Sequence, residues 1–294
     1  MHTMISSSFI FYGLLCLALA SLVEGKTAVL FGATGTVGNE VLRSILHHES
    51  LFTKLVIVGR SFPSKVTDLL QATTAEVVRI ELRDLGSVDT EEQLLALGTA
   101  DACFIATGSG HPYLSDFASM HYVEIEMTAS MTKLCSKLGV QSLTTFSAAD
   151  APENPTPYTK EELDRGSDGT PLGWFGMIYH MFTIYGLKER AVLSNALPAI
   201  PIVRIFQPST IVTDETRYGW VDRVLFKIHP WVDPWIPSQH RSVPVGLLGK
   251  AMVEDAVAIL SSDATEPGVT RFTYNDFVRI AGTNLDPDAT ATEL

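Results

Sequence analysis

Apolar and polar positions change their spacing along this chain in a regular way. Short apolar runs at residues 27–31, 55–58, 76–82, 102–106, 142–146 and 200–206 predict six strands. Between them, several stretches repeat apolar residues at helical spacing, and residues 122–138 and 243–259 are predicted helices, the second beginning after Pro244. Strands that alternate with helices are typical of a parallel sheet. The pattern therefore predicts an α/β protein with a doubly wound parallel sheet and helices on both faces.

A glycine-rich segment lies between the first strand and the first helical stretch. It consists of Gly32, Ala33, Thr34, Gly35, Thr36, Val37 and Gly38. In a strand, glycine turn and helix of this kind, one glycine makes the turn, one lets the backbone approach a pyrophosphate, and one lets the helix pack closely. The unpaired N–H groups at the helix N-terminus then face the anion. The segment predicts a Rossmann-like dinucleotide-binding turn.

The residues after the later strands indicate which dinucleotide is bound. The second strand ends at Arg60 and Ser61 with no Asp or Glu, and an Arg at this place grips a 2′-phosphate, so NADP is the predicted cofactor. Glu81 or Asp84 after the third strand is a candidate adenine contact. After the fourth strand, Ala106, Thr107 and Gly108 would let the nicotinamide half lie close to the backbone.

The N-terminal residues are interpreted separately. Residues 9–23 are almost uninterruptedly apolar, and Ala18-Leu19-Ala20 has the small residues that signal peptidase prefers. Residues 1–25 are therefore predicted to be a signal peptide or signal anchor, which places the protein in the endoplasmic reticulum lumen or on its membrane. The first eight residues contain no Lys or Arg, so a cytoplasmic or organellar location stays open as the alternative.

The rest of the chain, residues 26–294, is predicted to be one domain with a cofactor half at 26–150 and a substrate-facing half at 151–260. Residues 151–170 are rich in Pro, Asp, Glu and Gly and predict a long surface loop. Three tryptophans lie between residues 218 and 241. Their side chains could either belong to the core or cover the active-site cleft. The tail has room for one more strand and a short helix, giving a small C-terminal substrate-facing portion.

Composition excludes some function classes. The net charge of -12 argues against a nucleic-acid partner, because phosphate neutralisation needs clustered Lys and Arg. The three cysteines show no metal-ligand spacing, so no metal is expected, and Cys103 and Cys135 are predicted to be buried thiols. The expected partner is a small-molecule substrate, with membrane contact only through an uncleaved N-terminal segment.

The chain resembles the atypical short-chain dehydrogenase/reductase superfamily, and within it the oxidoreductases similar to the HIV Tat-interacting protein. The resemblance is carried by the glycine turn and by three further segments: Val58-Gly59-Arg60, Val123-Glu124-Ile125-Glu126, and Ser242-Val243-Pro244-Val245 followed by Ala251-Met252. It implies NADPH binding. It also implies a Tyr and a Lys four residues apart which, with a Ser or Thr, exchange a proton with the substrate while the Lys grips the cofactor ribose.

This sequence departs from the family motif. Lys188 is present, but Ile184 stands four residues before it and the nearest tyrosine is Tyr185. Two functions therefore remain open. The first is an NADP(H)-dependent reductase or dehydrogenase of a small carbonyl or alcohol, with Tyr185 as acid, Lys188 beside it and Ser147 orienting the substrate. The second is a catalytically silent NADPH-binding regulatory or scaffold protein that has a protein partner. Sugar-nucleotide epimerisation is a weaker third alternative, because it usually needs a larger substrate lobe.

Overall fold

The fold is taken from a computed structural model that describes residues 25–62, 67–110, 116–165, 173–213, 231–262 and 266–282. The predicted leader lies outside these residues apart from Gly25, and so does Trp220 from the tryptophan-rich segment.

A parallel sheet of seven strands forms the centre of the molecule, in the order β3-β2-β1-β4-β5-β6-β9. The described strands are β1 (Thr27–Phe31), β2 (Lys54–Gly59), β3 (Glu76–Glu81), β4 (Ala102–Ile105), β5 (Ser142–Phe146), β6 (Ile202–Phe206) and β9 (Gly268–Phe272). A separate parallel pair consists of β7 (Ile211–Val212) and β8 (Val243–Pro244). The four strands β1, β4, β5 and β6 are buried almost throughout, as is typical of parallel strands that are covered by helices on both faces. The predicted Rossmann-like α/β class is confirmed.

Helices cover both faces of the sheet. The described helices are α1 (Thr36–His47), α2 (Thr67–Ala72), α3 (Glu92–Leu95), α4 (Phe117–His121), α5 (Thr128–Lys137), α6 (Lys160–Arg165), α7 (Gly173–Ala196), α8 (Val245–Leu260) and α9 (Tyr274–Ile280). One hydrophobic core lies under α1, α8 and α9, and a second lies on the opposite face under α5 and α7. Alternate residues of each strand supply the two cores: Leu30 and Phe104 face the first, whereas Val29 and Cys103 face the second.

Helix α8 packs directly on α1, the helix that follows the glycine turn. Gly249 makes this approach possible, because a Cβ there would lie 2.6 Å from Glu40 Cβ and 2.9 Å from the backbone nitrogen of Val41. His48 and Glu254 add a polar contact of 3.2 Å between the same two helices. A late segment of the chain thus holds the helix that supports the predicted cofactor site.

Several local predictions need correction. The predicted helix at 122–138 is helical from Tyr122 to Lys137, and what the apolar spacing does not show is that Tyr122–Met127 forms a π-helical turn that continues into α5. The predicted loop at 151–170 contains α6, whose charged sequence has no apolar face that would reveal it. Trp231 and Trp235 are exposed and do not belong to the core.

The cysteine prediction was half right. Cys103 on β4 and Cys135 on α5 are both fully buried, but they form a disulfide rather than two free thiols. Sequence spacing did not reveal the pairing, since the two residues are 32 positions apart and meet only when α5 packs on the sheet.

The tight contact between α1 and α8 gives a stability prediction. Gly249→Ala should lower the free energy of unfolding by about 1–3 kcal/mol, because the new methyl group forces two backbones apart and outweighs its better helix propensity. Gly246→Ala is the matched control on the same helix, where a Cβ would meet only the Glu40 carboxylate at 3.8 Å. Urea denaturation of both variants measures the difference, and equal stability of the two would contradict the packing argument.

Candidate cofactor-binding site

A crevice is expected where the strand order of a doubly wound sheet reverses. In this protein β2 pairs with one edge of β1, and β4 pairs with the other edge of β1. The chains leaving β1 and β4 therefore turn towards opposite faces of the sheet, and their carboxyl ends border a gap. The predicted glycine turn follows β1, and Ala106, Thr107 and Gly108 follow β4, so both predicted segments border this crevice.

The glycine turn has the geometry that its sequence predicts. Gly32 has a φ of +82°, and a Cβ on it would lie 2.7 Å from the Ala106 carbonyl oxygen. A Cβ on Gly38 would overlap the Gly32 carbonyl oxygen, so this glycine allows α1 to approach the turn. Gly35 is the N-cap of α1, and no side chain caps the helix. The first N–H groups of α1 are thus left for a ligand.

The other residues of the turn differ in exposure. Thr34 is exposed and Thr36 is half-buried, whereas Val37 is buried in the core between the sheet and α8. Thr34 and Thr36 can therefore present side chains to a ligand, while Val37 can contribute its backbone N–H.

The end of β2 presents a basic residue beside this turn. Arg60 and Ser61 directly follow β2, which pairs with β1, and both are exposed. Phe62 follows them and lies 5.8 Å below the guanidinium of Arg79, which comes from β3. Two arginines therefore lie near the ends of β2 and β3.

Asp84, one of the two candidate adenine contacts, already has protein partners. Its Oδ1 accepts hydrogen bonds from the Gly86 backbone N–H at 2.9 Å and from the Tyr122 hydroxyl. The Tyr122 hydroxyl bond is the main cause of the lowered pKa of Asp84, and the same bond raises the pKa of Tyr122 to about 12. Glu81, the other candidate, is an exposed residue at the end of β3.

Lys188 is buried at the inner side of the crevice. Its Nζ donates to Glu124 Oε2 at 2.9 Å and to the Thr107 carbonyl oxygen at 3.4 Å. The same ammonium lies 4.6 Å from the ring centroid of Phe146 and 5.7 Å from that of Tyr185. Sequence reasoning had placed Glu124 in a family-like segment but gave it no role in the site.

Of the three predicted catalytic residues, Tyr185 and Lys188 lie next to each other. Tyr185 is half-buried and borders Lys188 through its ring. Ser147 follows Phe146 at the end of β5, and its Oγ is buried with no hydrogen-bond partner among the described residues. Their roles in catalysis stay predictions.

Ile184, at the usual tyrosine position of the family motif, does not face the crevice. It is fully buried in a small cluster with Phe117 and Met120, and Tyr158 and Leu163 pack against the same cluster. One helical turn before it, His180 Nδ1 lies 3.1 Å from the Tyr158 hydroxyl, and burial lowers the pKa of His180.

Within residues 25–62, 67–110, 116–165, 173–213, 231–262 and 266–282, no three His, Cys, Asp or Glu side chains come together as metal ligands would. No described helix combines the length and the apolar character that crossing a membrane requires.

No protein-family model matches the chain, and no curated protein matches it either. Solved structures share its fold at low sequence identity. Yeast methylglyoxal/isovaleraldehyde reductase Gre2, complexed with NADPH, superposes with a TM-score of 0.55 and 13% identity, over 91% of this chain and 97% of Gre2. Pal from Bacillus thuringiensis gives 0.56 and 13%, over 87% and 83% of the two chains.

A third neighbour is UDP-glucuronic acid 4-epimerase from Bacillus cereus, in complex with UDP-glucuronic acid and NAD. It gives a TM-score of 0.54 and 14% identity, over 88% of this chain and 84% of the epimerase. The structural neighbours thus include NADPH-bound reductases and NAD-bound epimerases, and they do not single out the Tat-interacting-protein-like group. At these identities the likeness establishes a shared Rossmann-like fold.

Proposed function

We propose that this protein binds NADP(H) and uses it to reduce or oxidise a small carbonyl or alcohol substrate. The observation that carries the proposal is the glycine turn itself. Its Gly32 touches the end of β4, its Gly38 lets α1 come close, and the uncapped N-terminus of α1 opens at the switch point of the sheet. This combination suits a diphosphate and an extended dinucleotide.

The residues around the turn fit such a ligand. The N–H groups of Thr36, Val37 and Gly38 would receive the pyrophosphate, and Gly108 is exposed where the nicotinamide half would lie. The buried hydroxyl of Ser147 lacks a hydrogen-bond partner among the described residues, which costs free energy. A hydrogen bond to a bound ligand or water would remove this free-energy cost. Two of the structures with a related fold hold NADPH or NAD, which supports the same class of ligand.

The preference for NADP(H) rests on Arg60. The guanidinium is exposed directly after β2, where a 2′-phosphate on the adenosine ribose would lie, and no carboxylate occupies that strand end. Arg79 lies on the neighbouring strand and stacks on Phe62, so a second positive charge supports an anion here.

The chemistry needs a hydride carrier and a proton carrier. A bound nicotinamide supplies or accepts the hydride. Tyr185 is the candidate proton carrier because its ring lies 5.7 Å from Lys188 Nζ and remains partly exposed, whereas Ile184 is sealed in an apolar cluster. Ser147 is the candidate for orienting the substrate oxygen, because its Oγ lies directly after β5 without a hydrogen-bond partner among the described residues.

A second candidate function is a dinucleotide-binding regulator without turnover, which would act through a protein partner. Two observations favour it: Ile184 stands at the family's tyrosine position, and the Lys188 charge is balanced by Glu124. NADPH binding without consumption across a panel of carbonyl compounds would select this candidate.

The cellular location proposed here is the secretory pathway, either in the lumen or anchored at the membrane. Support comes from the apolar residues 9–23 and from the Cys103–Cys135 disulfide, since disulfides persist mainly in oxidising compartments. In intact microsomes, a C-terminal tag should resist protease until detergent is added. Thiol labelling of the denatured protein should leave Cys103 and Cys135 unmodified; a tag digested without detergent would overturn the location.

Cofactor preference gives the next prediction. The wild-type protein should bind NADPH more tightly than NADH, and Arg60→Ala should weaken NADPH binding by about tenfold while NADH binding stays the same. Arg43→Ala is the matched control, because Arg43 is on α1 and contacts Asn39 and Glu40 of its own helix. Calorimetry with both cofactors measures the effect, and equal losses for NADPH and NADH would remove Arg60 from cofactor selection.

Turnover gives a separate prediction. Tyr185→Phe should lower NADPH-dependent carbonyl reduction by about 100-fold or more and leave the NADPH dissociation constant unchanged, because only the proton donor is lost. Tyr274→Phe on α9, which packs on the opposite face of the sheet, should keep full activity. Activity that survives in Tyr185→Phe would show that another group carries the proton.

A further inference from the structure

A buried ion pair connects α7 to the π-helical turn before α5. The side chains of Lys188 and Glu124 are each 1% exposed, and their charged atoms are 2.9 Å apart. Isolated charges are costly inside a protein, so each of these groups depends on the other.

Two acceptors inside the protein face the ammonium of Lys188, which has three N–H donors. One N–H points to Glu124 Oε2, and the Thr107 carbonyl oxygen lies 3.4 Å from the same nitrogen. The ring of Phe146 covers the ammonium at 4.6 Å. Because the Lys188 side chain is 1% exposed, a direct contact with a cofactor ribose would require the side chain or the residues over it to move. A movement away from Glu124 would leave that carboxylate buried without a counter-charge.

The second oxygen of Glu124 holds the backbone after β4. Glu124 Oε1 accepts the Ser109 backbone N–H at 2.7 Å and the Ser109 hydroxyl at 3.0 Å. A Cβ added to Gly108 would lie 3.4 Å from the same oxygen. The carboxylate therefore sits between α7 and the backbone at Thr107, Gly108 and Ser109.

Glu124 lies in the π-helical turn on the side that faces the protein interior. The turn at Tyr122–Met127 buries Glu124 and Met127, while Glu126 points to the surface and contacts His121. The turn thus directs one acidic side chain of this segment into the protein interior.

We propose that Glu124 and Lys188 are positioning residues for the cofactor, which act together by fixing the backbone at Thr107, Gly108 and Ser109. This proposal rests on the proposed NADP(H) binding and specifies how its nicotinamide half is placed. The pair provides a rigid wall for that half, and Lys188 acts through Glu124 and Thr107 rather than by contacting the ribose itself.

The two roles for Lys188 make different predictions for a double variant. If Lys188 contacts the ribose, Lys188→Met loses that contact whatever residue stands at position 124. If the pair acts as a unit, removing one partner leaves an uncompensated charge, and removing both restores an electroneutral wall.

The experiment measures binding of NADPH and of 2′,5′-ADP to the wild-type chain, Lys188→Met, Glu124→Gln and the double variant. The fragment 2′,5′-ADP lacks the nicotinamide half and needs only the adenosine side of the site. Each single variant should weaken NADPH binding about tenfold or more, and the double variant should return to within about threefold of wild type. Binding of 2′,5′-ADP should not change in any of the four proteins.

Lys137→Met is the matched control, since Lys137 is an exposed lysine on α5 whose partner is Asp89. It should bind both ligands like wild type. If a single variant does not fold, the double variant and Glu124→Asp decide the question. Glu124→Asp keeps both charges but withdraws the carboxylate from Ser109, so it should weaken NADPH binding and spare 2′,5′-ADP.

The outcomes separate the two proposals. A wild-type protein that binds neither ligand overturns the proposed cofactor function. A wild-type protein that binds both, with a double variant as weak for NADPH as Lys188→Met, overturns the positioning role and favours a direct ribose contact. Parallel loss of both ligands together with a lower melting temperature would show a general structural pair, and this result also overturns the proposal.

Discussion

The close approach of β1 and β4 at the centre of the sheet is the constraint on which the rest of the molecule depends. Both strands are buried on both faces and pair with each other in parallel. The chain that follows β1 turns to one face of the sheet, and the chain that follows β4 turns to the other face. The Gly32 Cα faces the Ala106 carbonyl oxygen so closely that no side chain fits between them. The glycine turn, the end of β4 and the helix α1 take their places from this contact.

The fold could be predicted from the sequence because most of the buried parallel strands are short, mainly apolar segments that alternate with helical spacing. Residues 142–146 were predicted as a strand and β5 has those same bounds, and the helix expected after Pro244 begins at Val245. Short or polar elements were missed for a physical reason: α6 has the sequence KEELDR and no apolar stripe, and the β7–β8 pair has only two residues in each strand. Contacts between distant segments, such as Cys103 with Cys135, cannot be read from local periodicity at all.

The backbone geometry of the glycine turn was predictable from the sequence, whereas the surroundings of the predicted catalytic residues were not. A glycine turn works mainly through its backbone, and its local sequence is enough to indicate Gly32, Gly35 and Gly38. The surroundings of Lys188 depend on tertiary packing, because Glu124, Phe146 and Thr107 come from three different elements. The family spacing drew attention to Ile184 and Tyr185, and the structure adds that a separate apolar cluster encloses the former.

Helix α8 supports α1 through Gly249, and the His48–Glu254 contact between the two helices spans 206 residues of chain. Synthesis on the ribosome proceeds from the N-terminus, so the glycine turn and α1 emerge long before α8, which packs on α1. During translation the N-terminal half would expose the apolar side of α1, which includes Val41 and Leu42, until α8 arrives to cover it.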